Sequence, residues 1–135
     1  MGVVDRQGVE LLDRDQCLRL LARGYTGRVG LVVDGEPRVL PVNYVMDGQR
    51  VVFRTGDGLK LDAARRGDVV TFEVDAVNED WHAGWSVLAV GRAGEVTDPQ
   101  EQARLQRLPL RPWAPGRREH WVVVDLSDVS GRTFP

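Results

Sequence analysis

The apolar residues near the start of the chain recur with the period of an amphipathic helix. Within residues 12–23, LDRDQCLRLLAR, the helix-spaced apolar positions are Cys17, Leu18, Leu20 and Leu21. Such a stripe is typical of a helix that packs one face on a core. Asp13, followed three positions later by Gln16, forms a candidate capping box at the start, and Gly24 follows the end. We therefore predict a short first helix over residues 12–23.

The pattern changes to β-rich runs between residues 25 and 55. The runs GRVGLVV, RVLPVNYVM and VVFRT are rich in valine, and the turns DGEP and DGQR separate them. An Asp-Gly pair between two such runs is typical of a tight hairpin turn. We predict a meander of three antiparallel strands in this part of the chain.

The second half of the chain contains three further strand patterns. VVTFEVD alternates apolar and polar residues, as a half-buried strand does. Residues 84–96, GWSVLAVGRAGEV, are long enough for a bent strand, in which Gly91 and Gly94 mark a bulge or a close backbone approach. WVVVDL is the last of the predicted strands.

Two more short helices complete the predicted elements. Residues 59–66, LKLDAARR, suit one or two helical turns. Further on, Asp98, Pro99 and Glu101 supply an N-cap, a first-turn proline and a capping-box acid for a helix that runs to about Leu108. Strands that outnumber short helices predict a mainly β fold, α+β by count, in which an antiparallel barrel carries peripheral helices.

The composition limits the cellular compartment and the classes of binding partner that we expect. The 135 residues are 42% hydrophobic, enough for one core, so we expect a single domain over residues 1–135. A net charge of −2 supplies no cationic field for nucleic acid. No apolar stretch reaches the length of a membrane span, the start MGVVDRQG lacks a signal-peptide pattern, and Cys17 has no second cysteine to pair with. We expect a cytoplasmic protein that binds neither nucleic acid nor a membrane.

The residue types that usually carry catalysis are scarce. His82, His120 and Cys17 lie far apart in the sequence without the spacing of a metal site, so we expect no dedicated metal. Ser86 lies in mid-strand and outside a GxSxG motif. The catalytic residues are therefore unknown. A protein of this kind often carries a cofactor that performs the chemistry.

Lys60 is the most informative single residue. It is the only lysine in a chain with 18 Lys+Arg residues, and it follows a Gly-rich turn at a predicted helix start, in FRTGDGLK. Backbone N–H groups at a helix start and a mobile ammonium together suit a phosphate. Arg54, Thr55 and Gly58 complete the candidate anion set. The alternative is a solvated surface lysine.

Four blocks of the sequence are informative as a set. In order they are GRVGLVVDGEPRVLPVNYVMDG, VVFRTGDGLK, GWSVLAVGRAGEVTD and RPWAPGRREHWVVVDLSDVSGR. In this order and spacing, from about Leu11 to the end of the chain, they resemble the pyridoxamine 5′-phosphate oxidase-like flavoproteins with the split β-barrel fold. The chain is most similar to the short, actinobacterial-type branch of that family.

This resemblance implies a homodimer that binds two FMN-type cofactors in clefts between its subunits. It implies that Pro41, Val42 and Asn43 run alongside the isoalloxazine ring, that Phe53, Arg54 and Thr55 line the ribityl and phosphate arm, that Gly58 and Lys60 hold the phosphate, and that Trp85 and Ser86 reach in from the partner chain. Asn43 is our candidate for a polar contact that tunes the flavin. Without the resemblance, residues 41–44 are equally typical of an ordinary strand, and Trp85 of a core aromatic.

The implied function is that of an FMN-dependent oxidoreductase acting on a small-molecule substrate of unknown identity. An F420-dependent reductase in the same cleft is one alternative. Another is a non-enzymatic module that binds flavin or haem, with His82 or His120 as the haem ligand, and a third is a barrel that has lost its cofactor. True pyridoxamine phosphate oxidases are longer and carry a basic substrate-phosphate set that this chain lacks, so we do not expect oxidation of vitamin B6 phosphates. No GxGxxG motif follows a strand to indicate a nicotinamide electron donor.

A Pro-rich loop offers one further hypothesis. Arg111, Arg117 and Arg118 flank Trp113 in this loop. They suit either a clamp for an anionic substrate or for the acidic tail of F420, or simple pairing with the surface acids Glu119 and Asp125. We favour surface pairing, because exposed arginines commonly pair or solvate.

Overall fold

Antiparallel pairing dominates the fold. In this computed structural model the described residues are 3–5, 7–110 and 118–134, and they form one nine-stranded sheet with three short helices. The strands are β1 (Val3–Val4), β2 (Glu10–Leu12), β3 (Thr26–Val33), β4 (Glu36–Asn43), β5 (Val45–Asp47), β6 (Arg50–Thr55), β7 (Val69–Asn78), β8 (Ala83–Val96) and β9 (His120–Phe134). The helices are α1 (Arg14–Arg23), α2 (Leu59–Arg66) and α3 (Pro99–Leu105).

The sheet curls without closing, which confirms the predicted split β-barrel. Its main path runs β1-β2-β9-β8-β7-β3-β4, and β6 pairs with β9 and with β5. β9 organises the whole arrangement. One side of this strand pairs with β8, while the other side pairs with β6 near residues 120–125 and with β2 near residues 131–133.

The cores lie on both sides of the central strands. The larger core, inside the barrel, contains Val51 and Phe53 of β6 with Leu21 of α1 and Phe72 of β7. A smaller core lies on the other face, where Val52, Leu105, Trp121 and Val123 pack together beneath α3. Burial on both faces explains why β6 and the start of β9 are continuous apolar runs.

The local signals at the helix starts are largely confirmed. Asp13 and Gln16 form the predicted capping box, each side chain accepting a hydrogen bond from the other residue's backbone N–H, at 2.8 and 2.9 Å. Asp98 caps α3 at the predicted position. Glu101 does not serve as a capping-box acid. Its carboxylate pairs with Arg50 and Arg104 instead, and α3 ends at Leu105, before the predicted Leu108.

Two predicted strands have different limits in the structure. RVLPVNYVM divides at Tyr44 into β4 and β5, because the Tyr44 ring packs against Phe72 in the core and its hydroxyl donates to the Leu21 carbonyl at the end of α1. The last strand, predicted as WVVVDL, continues to Phe134. Its extension forms the edge on which β2 and then β1 pair, two strands that were not predicted.

The glycines of β8 differ in role. A bulge lies between Val90 and Gly91, and a Cβ at Gly91 would lie 2.2 Å from the Asp125 carbonyl oxygen, which confirms a close approach there. A Cβ at Gly94 would meet nothing within 4 Å. Of these two glycines, only Gly91 is therefore required by packing. None of the helices in the described ranges has the length and apolar content to cross a membrane.

Candidate functional site

The turn between β6 and α2 is built around Gly58. This residue takes φ 147° and ψ −163°, a conformation that essentially only glycine adopts. Gly58 is the N-cap of α2, its carbonyl accepts the Asp62 N–H at 3.0 Å, and no side chain of the described residues caps the helix. The first N–H groups of α2 are therefore open at the turn, where they favour a negative charge.

Lys60 lies half-buried in the first turn of α2. Burial, and next the nearby charge of Arg118, lower the pKa of its ammonium. Within the described ranges, no carboxylate forms an ion pair with this ammonium. Two neighbouring cations at the start of a helix create a positive site, and a bound anion would relieve the repulsion between them.

Arg54 adds an uncompensated donor to the same end of β6. Its guanidinium lies over the Trp121 ring, 4.9 Å from the centroid. Its Nε is buried and has no hydrogen-bond partner among the described residues. A buried donor without an acceptor costs about 1–3 kcal/mol. Such a donor beside a positive turn is a candidate contact for a ligand oxygen.

Thr55 at the end of β6 and His120 at the start of β9 hold the turn in place. Thr55 is buried, and its hydroxyl donates to the Gly56 carbonyl at 3.1 Å. His120, opposite Thr55 in the β6–β9 pairing, lies between two carboxylates, with Nδ1 3.1 Å from Glu95 and Nε2 3.3 Å from Asp57. His120 thus ties the turn to β8. Sequence reasoning did not assign it this role, because the contact depends on the register of β6 on β9.

Glu95 extends this contact to α2. Arg65 of α2 donates to Glu95 at 2.9 Å, and this hydrogen bond, followed by that of His120, holds the pKa of the Glu95 carboxyl below its ordinary value. A pocket of about 190 Å³ opens beside the turn, lined by Gly56, Asp57, Glu119 and His120. Contacts through His120 and Glu95 therefore hold both Asp57 in the turn and Arg65 in α2.

Pro41, Val42 and Asn43 form the end of β4. Val42 is buried in the barrel, while Pro41 and Asn43 face outward. The Asn43 amide donates to the Thr26 hydroxyl at 3.2 Å. β4 contacts β6, and Val45, two residues after Asn43, pairs with Val52 in the adjoining hairpin. Strand β4 therefore lies next to the strand that leads into the turn.

Trp85 and Ser86 lie elsewhere in the chain. Trp85 pairs with Thr133 near the end of β9, whereas Thr55 pairs with His120 at its start. About 40 Å of extended strand separates those two positions along β9. Adjacent strand residues also face opposite sides of a sheet, so Trp85 packs toward the core and Ser86 faces outward. Within one chain these residues are not part of the turn site.

A second cavity, of about 540 Å³, lies beside Trp85. Its walls include Gln16, Arg19, Leu20 and Arg23 of α1, together with Trp85 and Thr133. No sequence pattern indicated this cavity, because it arises only where α1 packs across the ends of β8 and β9.

The remaining candidate residues have simple surroundings. His82 is exposed in the turn after β7, with φ 52°, and His120 is occupied by its two carboxylates. Among the described residues, no three His, Cys, Asp or Glu side chains gather as a metal site. Arg111, Trp113 and Arg117 lie outside the described residues, so for them the favoured surface pairing and the alternative clamp both stay untested. Arg118 is half-buried and acts on Lys60.

Comparisons with known proteins give a consistent result. The profile of the pyridoxamine 5′-phosphate oxidase family matches residues 13–133. The uncharacterised protein Rv0080 of Mycobacterium tuberculosis is 39% identical over 131 residues, which cover 93% of this chain and 85% of that protein.

Solved structures are similar over almost the whole chain. An FAD-binding protein from Mycobacterium smegmatis has a TM-score of 0.78 at 35% identity, covering 93% of this chain and 99% of its own. An FAD-binding protein from Mesorhizobium loti has a TM-score of 0.79 at 22% identity, covering 94% of this chain and 99% of its own. The second likeness concerns the fold alone.

Proposed function

Because the chain belongs to the pyridoxamine 5′-phosphate oxidase family, we propose that it is a flavin-dependent oxidoreductase whose cofactor phosphate binds at the β6–α2 turn. The observation that carries this proposal is the convergence of three groups on one turn. They are the uncapped start of α2, the Lys60 ammonium without a carboxylate partner among the described residues, and the buried Arg54 Nε without an acceptor there. The 35% identical M. smegmatis protein that binds FAD supports a flavin.

FMN is the cofactor that we favour. Its terminal phosphate suits a helix start flanked by an arginine and a lysine. FAD and F420 also contain a phosphate at the equivalent point of the flavin or deazaflavin side chain. The turn by itself therefore favours a phosphorylated cofactor of this kind, and measured binding of FMN, FAD and F420 would distinguish the three.

A homodimer is the second part of the proposal. Lys60 and Arg54 lie at one end of β9, and Trp85 and Ser86 lie toward the other. One flavin cannot extend over both ends within a single chain. We therefore assign the turn site to one subunit and Trp85 and Ser86 to its partner, which gives two clefts per dimer.

The protein's part in the reaction is binding and orientation. The flavin, when bound, supplies hydride or electron transfer. Lys60, Arg54 and the α2 N–H groups would fix the phosphate, while Pro41 to Asn43 would place strand backbone along the ring. The Asn43 amide, already anchored on Thr26, would offer a polar contact to the ring. His120 would hold the turn in place through Asp57.

The test is a titration of cofactor-free protein with FMN, FAD and F420, followed by fluorescence. We expect one of them to bind, and Lys60→Ala to weaken that binding by about 10-fold or more, as the loss of a charged hydrogen bond predicts. Lys60→Arg should retain most of the affinity. Arg107→Ala is the matched control, because Arg107 is an exposed cation just after α3, in a different part of the chain from the turn.

Two outcomes would count against the proposal. Binding of none of the three cofactors would leave a haem-binding module or a barrel without a ligand as the better interpretation. Equal affinity in the wild type and Lys60→Ala would remove the phosphate from this turn.

A further inference from the structure

The cavity beside Trp85, here called the Trp85 pocket, has the properties of a small-molecule site. Its volume of about 540 Å³ lies within the range of about 300–1,000 Å³ that is usual for ligand pockets. Leu20 and the half-buried Trp85 ring supply apolar surface, and Gln16 and Thr133 supply polar groups. A flat aromatic wall of this kind accepts a planar ring.

Two arginines give the pocket its charge. Arg19 and Arg23 are four residues apart on α1, so they lie on the same face of the helix and line the same wall. Among the described residues, neither guanidinium forms an ion pair or a hydrogen bond. Several other described arginines behave differently, since Arg28, Arg50 and Arg104 all pair with carboxylates.

The two positive charges repel each other. Like charges at this helical spacing destabilise a helix slightly. An anion between the two guanidinium groups would replace this repulsion with attraction to both of them. Each guanidinium can donate two hydrogen bonds to an oxyanion.

We propose that the Trp85 pocket binds a planar aromatic molecule with a carboxylate or phosphate, whose ring stacks on Trp85 and whose anion lies between Arg19 and Arg23. Two sources share this chemistry. One is the adenosine phosphate half of FAD, if FAD is the cofactor. The other is a separate anionic aromatic substrate. The proposed function brings Trp85 of one subunit to the flavin of the other, so a molecule in this pocket would lie next to the reacting ring. This location next to the flavin rests on the proposed function, whereas binding in the pocket does not.

The experiment compares matched charged and neutral probes by calorimetry. The probes are adenosine 5′-monophosphate against adenosine, and 1-naphthoate against 1-naphthalenemethanol. The variant is Arg19→Gln with Arg23→Gln, because glutamine has a helix propensity close to that of arginine. Arg38→Gln with Arg107→Gln is the control, since it removes the same charge from two exposed positions outside the pocket. FMN and FAD are titrated in parallel.

We expect the Arg19/Arg23 variant to bind at least one anionic probe about 10-fold or more weakly than the wild type, as loss of charged hydrogen bonds predicts. Binding of the neutral probes should be unchanged in that variant and weakened by Trp85→Ala. The control should bind every probe as the wild type does. Weaker FAD binding with unchanged FMN binding identifies the FAD source. Weaker 1-naphthoate binding with both flavins unchanged identifies a separate substrate.

Failure of this inference is distinct from failure of the proposed function. If the Arg19/Arg23 variant binds all probes as the wild type does, or if the wild type binds no anionic probe, the pocket is not an anion site. If neither flavin binds but the anionic probes do so through Arg19 and Arg23, the flavin function fails and the pocket assignment stands.

Discussion

Arg54 is the residue at which the proposed binding role and stability make opposite demands. Its guanidinium is held over Trp121, yet its buried Nε has no acceptor in the described part of the chain. An arginine placed only for stability would satisfy that donor, because burial without a partner is costly. Lys60 has the same character, since burial and Arg118 both oppose its charge.

Arg54→Met should therefore separate stability from binding. Methionine keeps much of the length and apolar contact of the side chain and removes the unsatisfied donor. We expect the free energy of unfolding, measured in urea without cofactor, to be equal to or higher than that of the wild type. Flavin affinity should fall by about 10-fold or more. A variant that is destabilised by more than about 1 kcal/mol and binds flavin normally would show that Arg54 is structural.

At the scale of elements, strand β8 depends on one glycine and not on the next. Gly91 lies at the bulge where the β9 backbone approaches closely, whereas Gly94 faces open space. The two positions lie in the same strand and differ mainly in what an added methyl group would touch.

Gly91→Ala should lower the free energy of unfolding by about 1–3 kcal/mol, because its Cβ would contact the Asp125 carbonyl. Gly94→Ala should leave that free energy unchanged or raise it by about 0.5 kcal/mol through a lower entropy of the unfolded chain. Urea unfolding of both variants under one buffer measures the difference. Equal effects at the two positions would mean that β8 shifts to absorb the methyl group.

A network of charges joins α3 to the β5–β6 hairpin. Arg104 lies 2.7 Å from Asp47 and 2.6 Å from Glu101, and Arg50 contacts the same two acids. Hydrogen bonds from Arg104 and then from Arg50 lower the pKa of both carboxyls to about 2. The ordinary values are 3.8 for Asp47 and 4.5 for Glu101.

This network should make the free energy of unfolding depend on pH in the acidic range. Because both folded pKa values are lowered, the contribution to folding is complete above the ordinary values and is lost as pH falls from about 5 toward 2. Asp47→Asn with Glu101→Gln should flatten the fall in unfolding free energy over that window. Urea unfolding at a series of pH values tests it. An identical slope in the variant would show that other groups control acid unfolding, and added salt should reduce any difference because the network lies at the surface.

At the scale of the whole molecule, the proposed cleft needs two chains. The β6–α2 turn and Trp85 lie at opposite ends of β9. About 40 Å of extended strand separates the two positions, so in the proposed dimer the Trp85 at each turn comes from the second subunit.

Co-expression of Lys60→Ala with Trp85→Ala chains should therefore restore binding. Each homodimer has two damaged sites, while each heterodimer has one intact site and one with both defects. Random pairing gives about a quarter of all sites with wild-type flavin affinity. Fluorescence titration of the purified mixture measures that fraction, and either variant alone is its control. No recovery, in a mixture whose heterodimers are confirmed by mass, would place Trp85 outside the cleft.

Short-range signals were sufficient for much of the fold and for part of the site. The Asp13 capping box, the two Asp-Gly turns, the strand periods and the bulge at Gly91 depend on residues close in sequence, and the structure contains them. Gly58 and Lys60 could be singled out for the same reason, because a glycine before a helix start and an isolated lysine are visible in the sequence.

Long-range packing decided the rest. Tyr44 breaks a predicted strand because its hydroxyl reaches the end of α1, and His120 meets Asp57 because of the register between β6 and β9. The Trp85 pocket exists because α1 crosses the ends of two distant strands. Hydrophobic period and turn chemistry specify each element by itself. They do not specify which elements become neighbours, since that choice depends on the burial of apolar surface by the whole chain at once.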